Sequence, residues 1–141
     1  TPTDSSAASD VYKRQALQGV AQRKPLRPFT IHHSINGSFA IRRGPWKLIL
    51  CPGSGGWSAP RPAQALKNKE RPPVQLFNLA DDPGEQTNLS AKEPQRVQEL
   101  VAQLTTAIRN GRTNPGPKQS NEGWPATFHN RVLLAFPELR N

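Results

Sequence analysis

At 141 residues the chain has room for one domain and not two. Only 34% of residues are hydrophobic, against 15 prolines and 10 glycines, which excludes a compact globule throughout and fits one small core flanked by irregular segments. The formal net charge is +9, and the single cysteine, Cys51, excludes an internal disulfide and a multi-cysteine zinc site.

The location of the charge matters more than its size. Between Arg23 and Arg71 ten basic residues face one acid, Glu70, whereas from Val74 to Asn141 seven basic residues offset seven acidic ones. Such a segment suits an anionic partner (nucleic acid, an acidic polysaccharide or an acidic neighbouring domain) or is a solvated basic face. No apolar run is long enough to span a bilayer, and the N-terminus lacks a charged region followed by an apolar one.

In chain order, residues 1–15 are polar, small and unpatterned, and a disordered or artefactual leader is expected over 1–22. The SDVYKRQ run that ends at Gln15 resembles a recurrent spurious junction, so the natural reading frame is expected to continue upstream. A first domain-like unit is expected over 23–116, and 117–141 is left unassigned. Phe29–Ser34 reads as a strand from its β-branched and aromatic residues. Asn36-Gly37 is a hairpin signal, Ser38–Arg43 the returning strand, Gly44-Pro45 a second turn, and Trp46–Cys51 a third strand. Pro52–Pro73 is a long loop, functional or disordered. Gln75–Leu79 is the fourth strand, broken by Asp81-Asp82-Pro83-Gly84, where Pro83 presets one dihedral and Gly84 is expected to take the positive φ. Ser90-Ala91-Lys92-Glu93 fits a capping box ahead of a helix whose Val97, Leu100, Val101, Leu104 and Ile108 form one apolar stripe. Asn110-Gly111 supplies the C-cap. Val132, Leu133, Leu134 and Phe136 could form a short helix or a strand. The expected fold is α+β: a four-stranded antiparallel sheet packed by one C-terminal amphipathic helix, with a disordered N-terminal tail and an irregular C-terminal one.

Few residues carry chemistry. His32 and His33 are adjacent on a strand, so they point to opposite faces and are poorly arranged to share a metal. Each is either a pocket residue or a packed strand-end histidine. Gly53-Ser54-Gly55-Gly56 lacks the Gly-Lys-Ser/Thr ending and following helix of a phosphate loop, which excludes nucleotide binding by that route. Trp57 either displays its ring over a sugar or aryl group or anchors the loop to the core. Cys51, without a helix N-terminus or histidine beside it, reads as a packed thiol. Asn36-Gly37-Ser38 and Asn88-Leu89-Ser90 match the glycosylation sequon. As a rival reading, the basic residues with Phe29, Phe39, Trp46 and Trp57 could bind nucleic acid, although no recognised motif is present and the aromatics alternate as core residues do.

The stretch Gln75–Leu89, QLFNLADDPGEQTNL, resembles the "L-Y-D-L-x-x-D-P-x-E-x-x-N-L" segment near the C-terminus of type I sulfatases of the arylsulfatase A-like family, with Phe77 and Asn78 in place of Tyr and Asp. FAIRRGPWKLIL is similar to that family's "Arg-x-Gly-x-x-Lys" hairpin through Arg42, Gly44, Trp46 and Lys47, and an amphipathic helix follows the acidic turn in the same order. The resemblance covers about Arg27 to Gly116. It implies the C-terminal subdomain of a sulfuric ester hydrolase, periplasmic or secreted, partnered by an N-terminal catalytic domain. That domain would carry a formylglycine, made from a Cys/Ser-x-Pro-x-Arg motif, and a calcium ion held by Asp and Asn. Here Cys51 is followed by Pro-Gly-Ser-Gly, and Ser58-Ala59-Pro60-Arg61-Pro62 has its arginine one place too early. The chain by itself is therefore expected to be inactive, a fragment whose His32, His33 and Trp57 line the rim of a pocket for a sulfate ester, in particular a sulfated carbohydrate.

Overall fold

The computed structural model describes residues 14–15, 17–19, 27–121 and 128–140. The disorder expected for 1–22 lies outside them except at 14–15 and 17–19, where Arg14, Gln15 and Leu17 are helical and exposed and the Gln18 N–H donates to the Arg14 carbonyl at 3.0 Å. Four strands form one sheet in sequence order: β1 (Thr30–His33), β2 (Phe39–Arg43), β3 (Trp46–Ile49) and β4 (Gln75–Asn78). Every neighbouring pair is antiparallel. Gly44 takes φ 57° and is followed by Pro45, the residue order that lets a two-residue hairpin turn match the strand twist.

Register sorts the side chains. Ile31, Ile41, Leu48 and Leu76 sit opposite one another across all four strands, and so share a face. Ile41, Leu48 and Leu76 are fully buried there. The helix α2 (Pro94–Asn110) covers that face with Val97, Leu100, Val101, Leu104 and Ile108, the stripe read from sequence, and all five are buried. Thr105, buried on the same helix, satisfies its hydroxyl by donating to the Val101 carbonyl at 2.8 Å. Gly111 ends the helix in the left-handed region at φ 64°, with its N–H donating to the Ile108 carbonyl and that of Arg112 to the Ala107 carbonyl.

Two local expectations change, and a third, left open between helix and strand, is decided. The capping box at Ser90–Glu93 does not form. Pro94 opens the helix, and a residue before proline is pushed out of the α region, so Glu93 sits at φ −122°, ψ 56° as an N-cap without a side-chain bond. The long loop contains a short helix, α1 (Pro62–Lys67), started by a proline at its first turn. The ambiguous apolar run near the C-terminus is helical: α3 (Asn130–Ala135), followed by a 3₁₀ turn over Pro137–Arg140.

This last segment completes the core. Phe128, Val132, Phe136 and Leu139 are buried in the same cluster as the sheet and α2, and the Phe128 ring stacks on Phe39 with centroids 5.1 Å apart. Among the described residues no helix is long and apolar enough to cross a membrane. Leu139 is fully buried whereas Leu134 is 73% exposed. Leu139→Ala is expected to lower unfolding free energy by about 2–5 kcal/mol, and Leu134→Ala to change it by less than about 0.5 kcal/mol, both read from urea denaturation.

Candidate functional site on the open sheet face

The same register places Thr30, Arg42, Lys47 and Phe77 in one row, and His32, Ala40, Ile49 and Gln75 in the next, on the face away from α2. Two hollows lie over this face. The larger, about 810 Å³, is walled by Pro52–Ser54, Ser58–Pro60, the turn after α1 and the acidic turn after β4. The smaller, about 410 Å³, is bounded by β1 and β2 with Arg42 and Ser38. Lys47, Ile49, Ser54 and Glu85 border both. Lys47 Nζ lies 2.5 Å from Glu85 Oε1, so one ion pair forms part of the divide between the hollows.

The acidic turn is built to hold that pair. Asp82 accepts backbone N–H bonds from Gln86 and Thr87, both at 2.8 Å. These bonds, that from Thr87 first, hold its carboxyl below the ordinary value of 3.8. Asn78 Nδ2 donates to Asp81 at 2.6 Å and ties the turn to the end of β4. The positive φ expected at Gly84 falls instead on Glu85, at 54°. A non-glycine residue there costs on the order of 1–2 kcal/mol, and the ion pair to Lys47, with both side chains about a quarter to a third exposed, offsets part of it.

Asn88 closes the sheet. Its Oδ1 accepts from the Leu76 N–H at 3.0 Å, its Nδ2 donates to the Val74 carbonyl at 3.2 Å, and Leu89 N–H donates to the Leu76 carbonyl at 2.8 Å. The outer edge of β4 is thereby paired as if by a fifth strand.

The loop over the larger hollow is tied from below. Gln75 Nε2 donates to the carbonyls of Cys51 (2.9 Å) and Gly53 (2.8 Å), and Arg71 to that of Pro52 (3.1 Å). Cys51 is buried; desolvation raises its thiol above the ordinary 9.0, and Sγ donates to the Gly53 carbonyl at 3.1 Å. It is a packed, neutral thiol.

His32 and His33 both border the smaller hollow, and the His33 ring stands edge-on to Phe39 at 4.0 Å. Trp57 does not join them. It is 79% exposed, so it does not anchor the loop, although its neighbour Ser58 lines the larger hollow. Among the described residues no group of three or more His, Cys, Asp or Glu is placed to hold a metal ion.

The sequence model of the C-terminal region of aryl-sulfatase matches residues 25–132. The chain belongs to that family. A search of curated proteins found no match. Among the solved structures that match is a Bacteroides thetaiotaomicron sulfatase described with the metabolism of multiple glycosaminoglycans by a versatile core genetic locus, 26% identical to this chain over 67% of it, with a TM-score of 0.49. The present chain spans 18% of that protein's length. In this aryl-sulfatase C-terminal region, the residues that carry the family resemblance are structural in role. Asp82 caps the turn, Glu85 holds Lys47, and Asn88 covers the edge of β4. Sequence reading found these residues as separate words and missed the pairing, because Lys47 and Glu85 lie 38 positions apart. The available signal was that both occupy fixed letters of the two resembling patterns.

Glu85→Ala loses the ion pair and keeps the strained backbone, whereas Glu85→Gly loses the pair and relieves the strain. Glu85→Gly is therefore expected to be the more stable of the two variants by about 1 kcal/mol in denaturant unfolding. Asp82 has a lowered folded-state pKa, so its contribution is present above the ordinary 3.8 and is lost as pH falls through the folded value. Thermal melts over roughly pH 2–5 should show Tm falling in the acid limb, and Asp82→Asn should flatten that fall.

Proposed function

We propose that this chain serves as the C-terminal part of a sulfuric ester hydrolase, with its open sheet face turned toward the catalytic domain and forming the rim of the substrate pocket. One observation carries the reading. In a chain that matches the C-terminal region of aryl-sulfatase, one sheet face is sealed by α2 while the other bears two hollows divided by Lys47 and Glu85. The catalytic domain would bring the formylglycine and the metal. This chain would bring shape and charge.

The residues divide by what they can do. His32 and Arg42 border the smaller hollow and can donate to an anionic substituent. Trp57 offers an exposed aromatic face against which a sugar ring can pack. His33, held against Phe39, shapes the wall. The basic excess favours anionic substrates such as sulfated carbohydrates, though part of it is engaged internally: Arg43 pairs with Glu99, Lys47 with Glu85, and Arg71 with the Pro52 carbonyl.

The nucleic-acid alternative needs stacking aromatics on the surface. Phe39 is buried under Phe128, and the Trp46 ring is covered by the Arg96 guanidinium at 4.1 Å. Both are used in packing and Phe29 packs against the core, which leaves Trp57 alone of the four exposed for stacking, so the observations favour the sulfatase reading.

In the sulfatase that contains this region, His32→Ala, His33→Ala and Trp57→Ala are each to be assayed on aryl and carbohydrate sulfates. A fall in kcat/KM of roughly tenfold for carbohydrate sulfates, equivalent to about 1.4 kcal/mol, is expected from at least one of them, with a smaller change for aryl sulfates. Unchanged kcat/KM for all three on both substrate classes would overturn the assignment of this rim.

A further inference from the structure

The turn that follows α1 forms one wall of the larger hollow through Asn68, Glu70 and Arg71. Within itself it is held lightly, by Arg71 N–H donating to the Asn68 carbonyl at 3.3 Å and Glu70 N–H donating to Asn68 Oδ1 at 3.0 Å. Its carbonyls are met from the other end of the chain. Arg131 Nη1 donates to the Asn68 carbonyl at 3.1 Å, and Nη2 donates to the carbonyls of Lys69, at 3.1 Å, and of Arg71. A guanidinium is a planar fork of five donors that stays protonated, so one side chain can serve several carbonyls at fixed angles.

Arg131 is itself well founded. Its own N–H donates to His129 Nδ1 at 3.2 Å, and the next residue, Val132, is fully buried in the core. The bonding continues beyond the turn: the Arg71 side chain donates to the Pro52 carbonyl at 3.1 Å, at the start of the loop that holds Ser54 over the hollow. A continuous path therefore runs from α3 in the core, through Arg131, to the turn at 68–71, and through Arg71 to Pro52–Ser54. We propose that Arg131 is the positioning residue of this cavity wall, setting the turn directly and the Pro52–Ser54 loop through Arg71. The inference deepens the substrate-rim reading and rests on it only for the effect on activity.

Hydrogen exchange on the whole chain tests it, comparing the native protein with Arg131→Ala, Arg131→Lys and Arg71→Ala. In Arg131→Ala, the amides of Arg71 and of Ser54, which donates to the Pro60 carbonyl, should exchange roughly tenfold faster or more, while α2 and the sheet keep their rates. Arg131→Lys should restore part of the protection, since one ammonium cannot span three carbonyls. Arg71→Ala should loosen Pro52–Ser54 and leave 68–71 protected, and it carries the comparison with Arg131→Lys should Arg131→Ala not fold. In the sulfatase, Arg131→Ala should raise KM for carbohydrate sulfates with kcat unchanged. Unchanged exchange at 68–71 in a folded variant would overturn the proposal, as would an equal rise through α2, which would make Arg131 a general stability residue. Local loosening with no change in KM would uphold the positioning role and remove the reading of this hollow as the substrate side.

Discussion

The row formed by Ile41, Leu48 and Leu76 against the apolar stripe of α2 is the contact on which the rest of the molecule depends. Four short strands and one long helix can exclude water from only one side of the sheet. The period of two in the strands and of 3.6 in the helix meet along that row, and the other sheet face carries Thr30, His32, Arg42, Lys47 and Gln75 beside Ala40, Ile49 and Phe77. The hollows over that face follow from a sheet covered once.

The acidic turn after β4 joins these two faces. On one side Asn88 completes the hydrogen bonding of Leu76, a residue whose side chain lies in the core. On the other, Glu85 reaches Lys47 at the divide between the two hollows. A short stretch thus closes the sheet edge, ends the strand and places a charge on the open face. That concentration of tasks gives a physical reason for its distinctive wording, with an Asp to gather backbone N–H groups, a Pro to begin the turn and an Asn to imitate a strand. The wording reflects architecture.

Guanidinium groups in this chain act as much on carbonyls as on anions. Arg71, Arg109, Arg112 and Arg131 all donate to backbone oxygens, and Arg96 lies over the Trp46 ring. In a proline- and glycine-rich protein, long irregular segments leave carbonyls without strand or helix partners, and arginine satisfies several at once. A net charge of +9 therefore overstates what is free to meet an anionic partner.

The sequence by itself determined the four strands, their antiparallel order, the helix stripe with its glycine cap, and the family, because alternation, turn residues and local wording are short-range signals. It determined the packed state of Cys51 for the same reason. It did not reveal α1, hidden among prolines, nor the helical fate of Val132–Phe136, a run too short for its period to decide between helix and strand. It also misplaced the positive φ, since Gly84 is the residue best able to adopt it while the pull of Lys47 is felt at Glu85. Only the tertiary structure decided which residues meet and which are left exposed: His33 on Phe39, Trp57 exposed, Lys47 on Glu85, and Arg131 on a turn some 60 residues away. The last two contacts join residues far apart in the chain, and no local preference encodes them. They exist because one buried sheet face fixes where each loop must begin and end.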